Sequence, residues 1–142
     1  MQNSRNPEKR NNTVFDPLRK IRVALTPEET VRQWMISQLL ELAGVPAHLA
    51  MSEAGFKFGQ KQYRADILVF DRSGAPLCIV ECKRPDIPID AVVASQALRY
   101  DAVLSVRYII LTNGKKTYIY KRDGAAFVHC AQFPTYEQMT AE

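Results

Sequence analysis

Residues 64–83 read RADILVFDRSGAPLCIVECK. Two apolar runs, Ile67–Phe70 and Leu77–Val80, flank Asp71-Arg72-Ser73-Gly74, a combination that favours a turn. The pattern predicts a β-hairpin with strands over 64–70 and 76–82. Strands that are apolar throughout are buried on both faces, so the charges of Asp66, Glu81 and Lys83 need a reason. Side chains alternate across a strand. Glu81 and Lys83 therefore share one face and Cys82 takes the other. With a four-residue loop over 72–75, Asp71 lies opposite Pro76 and Asp66 opposite Glu81, their Cβ atoms about 4.5–5.5 Å apart. Like charges so placed destabilise a sheet, and a divalent cation between them would remove the repulsion. Oxygen ligands beside a phosphate suit Mg²⁺, with Mn²⁺ as its substitute. A register slip of one residue would turn Asp66 to the other face. A solvated Glu-x-Lys face of an ordinary hairpin is the competing reading.

Asp66 followed by Glu81-Cys82-Lys83 resembles the signature of the PD-(D/E)xK nuclease superfamily. More narrowly, LTPEETVRQ, RADILVF, IVECKRP, QALRYD and ILTNGKKTYIY resemble, in order, the N-terminal nuclease-like domain of type I restriction enzyme R subunits. The resemblance spans 14–121. It implies a restriction-endonuclease-like fold, a mixed β-sheet flanked by helices in an αβββαβ core, here with an extra C-terminal hairpin. It implies a metal-dependent hydrolase of DNA phosphodiester bonds. Asp66 and Glu81 would hold the metal, with the Cys82 carbonyl and a glutamate of the first helix, and Lys83 would stand by the scissile phosphate. It also places Gln96 and Tyr100 in a QxxxY element that orders the lysine and binds substrate. Lys61, Arg64, Arg84 and Tyr100 are the expected DNA contacts.

The first helix starts at Thr26-Pro27-Glu28-Glu29. Thr26 is the N-cap, Pro27 fits the first turn and Glu29 completes a capping box. The helix runs to about Ala43 and stops at Gly44. Its apolar arc holds Val31, Trp34, Met35, Leu39, Leu42 and Ala43. Glu28 falls within that arc and Glu29 beside it, so Glu28 is the expected metal ligand of the pair, with Glu29 the alternative. Arg32 follows Glu28 by four and can pair with it. Asp90 caps a second helix over 91–104, which sets Gln96 and Tyr100 on one face. Residues 55–59 read as the strand before the hairpin, 19–25 as a short edge strand and 107–112 as an apolar strand. Asn113-Gly114 is a hairpin turn leading to a return strand over 117–121, and 125–130 adds one more.

The chain has 142 residues and a net charge of +4, enough for one core and compatible with a nucleic-acid partner. Residues 1–12 read as a flexible basic tail and 13–142 as one domain. No apolar run is long enough to span a bilayer and no signal-peptide pattern opens the chain, so the expected location is cytoplasmic, with no membrane partner. Three cysteines without CxxC spacing read as reduced, and His48 and His129 as structural. No P-loop is present, so a separate motor or specificity subunit is an expected partner, and a homodimer is left open. The alternatives are a non-catalytic nucleic-acid-binding or accessory subunit, and an interaction domain in which Asp66, Glu81 and Lys83 form salt bridges only.

Overall fold

The computed structural model describes residues 12–141. Two short strands, β1 (Thr13–Asp16) and β2 (Ile21–Ala24), pair with each other apart from the main sheet. Then come α1 (Pro27–Ser37), β3 (Ala50–Phe58), β4 (Lys61–Phe70), β5 (Pro76–Cys82), α2 (Ala91–Leu104), β6 (Tyr108–Thr112), β7 (Thr117–Asp123), β8 (Ala126–Cys130) and α3 (Tyr136–Thr140). Strands β3 to β8 form a six-stranded sheet in sequence order. Only β5 and β6 run parallel. A parallel pair needs a crossover of a dozen residues or more, and α2 supplies it.

Both faces of the sheet are covered, which is why its central strands are apolar without alternation. On one face, Ile67, Val69, Cys78, Val80, Cys82 and Ile110 pack against Val31, Met35, Ile36 and Leu39 of α1 and its extension. On the other, Leu68, Ile79, Ile109 and Leu111 pack against Val93, Ala97 and Tyr100 of α2. Each fully buried Val, Leu, Ile or Met among them contributes about 1.5–3 kcal/mol. The mixed sheet flanked by helices agrees with the expected fold class.

Several expectations need correction. The predicted strand over 19–25 is not an edge of the main sheet, because it pairs with β1. The carbonyl of Asn12 accepts from Leu25 N at 2.8 Å, so that residue joins this small hairpin; the rest of the expected basic tail lies outside the described residues. The apolar arc of the first helix is also rotated. Trp34 is 41% exposed and Leu42 72%, while Ile36 is buried. Beyond Ser37 the helix widens into a π-turn over Gln38–Leu42, and the slower rotation swings Leu42 to solvent. The capping box is half formed. Glu29 N donates to Thr26 Oγ1 at 3.1 Å, but the Glu29 carboxylate turns inward to two arginines.

The central hairpin differs in its turn and agrees in its body. Phe70, not Asp71, faces Pro76, so the loop has one more residue than expected. A bulge beside Leu77 absorbs the offset, and Val69 faces Cys78, Leu68 faces Ile79 and Ile67 faces Val80. One further step puts Asp66 across from Glu81, as the sequence predicts. Gly114 marks a close approach. Its φ is +86° and a Cβ there would lie 3.3 Å from Val31 Cγ2, so this turn packs onto α1 only as glycine.

Candidate functional site

The β4–β5 ladder stops at Ile67 and Val80, and the two strands part at Asp66 and Glu81. Side chains take over the backbone's hydrogen bonds there. Cys82 N donates to Asp66 Oδ2 at 2.7 Å, and Asp66 N to Glu81 Oε2 at 3.4 Å. The gap between the strands is thus filled by two carboxylates. Beyond them β5 is held by β6 alone, through Lys83 N to Thr112 O at 2.9 Å. Asn113 Nδ2 donates to Ile87 O at 2.8 Å and ties down the loop that follows Lys83.

A row of three acids crosses three strands. On β3, Ser52 faces Ile67 and Ala54 faces Ala65, so Glu53 stands opposite Asp66, which in turn stands opposite Glu81. Glu53 drops out of the ladder and takes φ +55°, a left-handed conformation that costs energy in a non-glycine residue. Arg32 of α1 reaches into this row. Its Nη2 lies 2.7 Å from Glu53 Oε2, 3.1 Å from Asp66 Oδ1 and 3.7 Å from Glu28 Oε2, and its Nη1 donates to Glu29 Oε1 at 2.8 Å. Glu29 Oε2 accepts from Arg19, which is paired in turn with Asp16. A chain of alternating charges therefore runs from the β1–β2 turn to Asp66. Sequence reasoning pairs Arg32 with Glu28, which the 3.7 Å approach bears out, but it misses the reach of Arg32 to Asp66 and Glu53, and it misses Glu53 itself. Their only signals are an arginine one helical turn after two glutamates and a glutamate with no apparent strand partner.

Electrostatics divide the acids. Burial and the nearby Asp66 charge push the Glu81 carboxyl up to about 8. Burial also raises Asp66, against the pull of the Cys82 N–H and the Arg32 charge. Glu81 is 3% exposed; its one recorded hydrogen bond is the long one from Asp66 N, and the Lys83 charge gives it partial relief. The Cys82 thiol is pushed up by its burial.

The other predicted residues fall around this centre. Glu28 is half-exposed, and with Lys83, Arg84 and Asp90 it lines a cleft of about 520 Å³ whose walls include neither Asp66 nor Glu81. Of the two helix-one glutamates Glu29 is the buried one, and it is committed to Arg19 and Arg32. Gln96 Nε2 donates to Tyr100 Oη at 3.1 Å, and among the described residues neither shows a hydrogen bond to Lys83. Tyr100 stands edge-on to Phe56 and Tyr63, close enough to Glu81 and Asp66 for their charges to help raise its hydroxyl pKa, which burial raises most. Arg84 is exposed and paired with Asp86, Arg64 is exposed and paired with Glu53, and Lys61 lies over the Tyr63 ring. His48 and His129 are in neither the acid row nor its cleft, and the three cysteines are free.

These donors fit a hard divalent cation. Glu81 is a buried carboxyl whose pKa is held up to about 8 by burial and the Asp66 charge, with one long hydrogen bond and only partial relief from Lys83. Asp66 and Glu81 together match the one or two carboxylates that Mg²⁺ uses while keeping several waters. Among the described residues no cluster of three or more His, Cys, Asp or Glu has metal-holding geometry, and Asp66 Oδ1 is engaged by Arg32.

A family model described as the type I restriction enzyme R protein N terminus (HSDR_N) matches residues 27–134. Among solved structures, the chain is similar to a fragment assigned to the HsdR subunit of a type I restriction enzyme from Vibrio vulnificus YJ016. The TM-score is 0.65 at 21% identity, over 82% of this chain and 25% of that one. It is similar also to a protein assigned as a nuclease of the DUF820 group from Anabaena variabilis ATCC 29413. There the TM-score is 0.54 at 14% identity, over 85% of this chain and 80% of that one. The chain thus spans about a quarter of the HsdR fragment. At these identities the likeness is one of fold. A comparison with curated proteins finds no match.

Proposed function

Because the chain belongs to the type I restriction enzyme R protein N-terminal family, we propose that it is a restriction-type nuclease domain that hydrolyses DNA phosphodiester bonds with the help of a divalent cation. The observation that carries this reading is the pair Asp66 and Glu81, set across a parted strand junction with Lys83 two positions on. Asp66, Glu81 and the Cys82 carbonyl would hold Mg²⁺ or Mn²⁺, with Glu28 approaching from the cleft. When bound, the metal supplies a water of lowered pKa and cover for charge on the phosphate.

The chain's own residues do the rest. Glu81, whose pKa burial and the Asp66 charge hold up, would give up its proton on taking a cation as partner. Lys83, anchored through its backbone to Thr112, orients the attacking water and donates to the phosphate oxygens as charge builds there. The water oxygen bonds to phosphorus as its proton passes to solvent, the ester P–O bond breaks, and the departing oxygen takes a proton from solvent. Gln96 and Tyr100 support the substrate side. The domain would work with further subunits that supply a motor or sequence recognition, and with DNA. Among the described residues no helix is long and apolar enough to cross a membrane.

One observation favours a second reading, a non-catalytic DNA-binding or accessory module: Arg32 already neutralises Asp66 without a metal. Plasmid nicking with Mg²⁺, by the wild type and by Asp66→Asn, separates the two. The nuclease reading expects nicking that requires Mg²⁺ and is lost in the variant. DNA binding with no nicking under any divalent cation would overturn it.

A further inference from the structure

We propose that the β3–β4 hairpin is a DNA-engaging arm, with Phe58 at its tip entering between stacked bases and Lys57 and Lys61 holding the flanking phosphates. This rests on the DNA-processing reading above and adds an element that reading does not use.

The placement comes from strand pairing. Only Ile67–Phe70 of β4 pair with β5; the stretch from Lys61 to Ala65 pairs with β3 alone. The hairpin therefore projects past the end of the sheet where Asp66, Glu81 and Lys83 gather. Its charge is of one sign. Between Glu53 and Asp66 stand Lys57, Lys61 and Arg64 and no acidic residue. Arg64 is paired with Glu53 and Lys61 lies over the Tyr63 ring at 5.6 Å from its centroid, while both Lys57 and Lys61 are exposed next to the tip.

The tip itself is apolar. Phe58, 63% exposed, faces Lys61 across a two-residue turn in which Gly59 has φ +63°. A turn needs no phenylalanine for its own stability, and an exposed ring with Lys61 on its own face of the hairpin and Lys57 on the other suits a wedge more than a solvated loop. Apolar wedges flanked by cations unstack base steps while the cations hold phosphate. The arm is also stiff at its root. Phe56 stacks on Tyr63 with centroids 5.2 Å apart and planes 8° from parallel, and Tyr100 of α2 meets both rings edge-on. Thus the hairpin is clamped to the helix that carries Gln96. From Lys61 to Asp66 the strand advances about 17 Å, which is about five base-pair rises of B-form DNA. The wedge would enter the duplex about that far from the scissile phosphate.

The test uses the whole chain in EDTA, so that no cleavage intervenes, with short duplexes carrying 2-aminopurine. Wild type, Phe58→Ser and the double variant Lys57→Gln/Lys61→Gln are compared by anisotropy across a salt series and by 2-aminopurine fluorescence. These side chains are exposed, and matching thermal melts check that the variants fold. Binding by wild type should raise the fluorescence. Phe58→Ser should lose that rise with less than a tenfold loss of affinity. The lysine variant should bind more weakly, with the salt slope reduced by about two. Wild-type binding with both variants unchanged in affinity, slope and fluorescence overturns the arm alone, and is the result a tip made for a protein contact would give. No binding by wild type, either in EDTA or with non-catalytic Ca²⁺ in its place, overturns the arm and the DNA-processing reading together.

Discussion

The Arg32 guanidinium on α1 donates to Asp66 Oδ1 on β4 at 3.1 Å and lies within 2.7 Å of Glu53 on β3. One buried cation thereby compensates carboxylates from three elements. Burying an ion pair gains little over an apolar replacement, but removing one partner strands the other. Arg32→Met would leave Glu29, Glu53 and Asp66 without their shared partner. It should lower the unfolding free energy by about 3–5 kcal/mol, read by urea denaturation. A loss below about 1 kcal/mol would mean that these acids find water or other cations, and that Arg32 does not organise the row.

Glu81 makes the metal-free protein pH-sensitive. Its folded pKa, about 8, lies above the ordinary value of 4.5, so the folded state holds the proton more tightly than the unfolded state. Between those values the unfolded chain binds fewer protons at this group, and stability falls as pH rises. The Tm of metal-free protein should therefore drop from pH 5 to pH 8. Glu81→Gln should flatten that slope, and millimolar Mn²⁺ at pH 8 should raise the wild-type Tm but not the variant's. Parallel Tm-versus-pH curves for the two proteins would remove Glu81 as the source.

The central hairpin was legible because a strand pair buried on both faces leaves few roles for a charge, and because side-chain alternation fixes which charges meet. Even the misjudged turn did no harm, since the bulge beside Leu77 restored the register that brings Asp66 to Glu81. The Glu28–Arg32 pair was legible from its spacing, but the reach of Arg32 to Asp66 and the place of Glu53 were not. Periodicity treats charged positions as solvent-facing, yet Glu29 and Arg32 lie on the buried face because they neutralise each other. Glu53 depends on a positive φ that no local pattern announces. β2 lies inside the stretch 19–25 that reads as a strand, but the four-residue β1 and the five-residue α3 are too short to show a period and exist through tertiary contacts.

Tyr136 is one such contact. On α3 it is 1% exposed, its hydroxyl donates to Phe70 O at 2.8 Å, and its N–H donates to Ala43 O at 2.7 Å. A five-residue helix has no independent stability, so this ring pins the end of the described chain to the back of the central hairpin. Tyr136→Ala should cost about 3–5 kcal/mol, as aromatic truncation in a core does. Tyr136→Phe should cost about 0.5–1.5 kcal/mol, since it removes only the hydroxyl's bond. Equal costs for the two would put the whole effect in the hydrogen bond and none in the packing.

Lys83 offers the sharpest separation of chemistry from fold. Its backbone N–H is fixed to Thr112, while its half-exposed side chain borders the cleft that also holds Glu28. Removing the ammonium should leave the sheet intact, because no recorded hydrogen bond or ion pair of the described residues uses it. Positioned donors of this kind are worth about 10²–10³ in rate. Lys83→Ala should therefore lower Mg²⁺-dependent nicking by at least about 10²-fold with an unchanged Tm. Lys83→Arg should recover little, because a planar fork does not replace a compact ammonium against one phosphate oxygen. The Mn²⁺ affinity of Lys83→Ala, measured by calorimetry, should stay near that of wild type, as the carboxylates are untouched. If nicking survives in Lys83→Ala while Asp66→Asn abolishes it, the carboxylates act without the lysine, and its place in the mechanism is wrong.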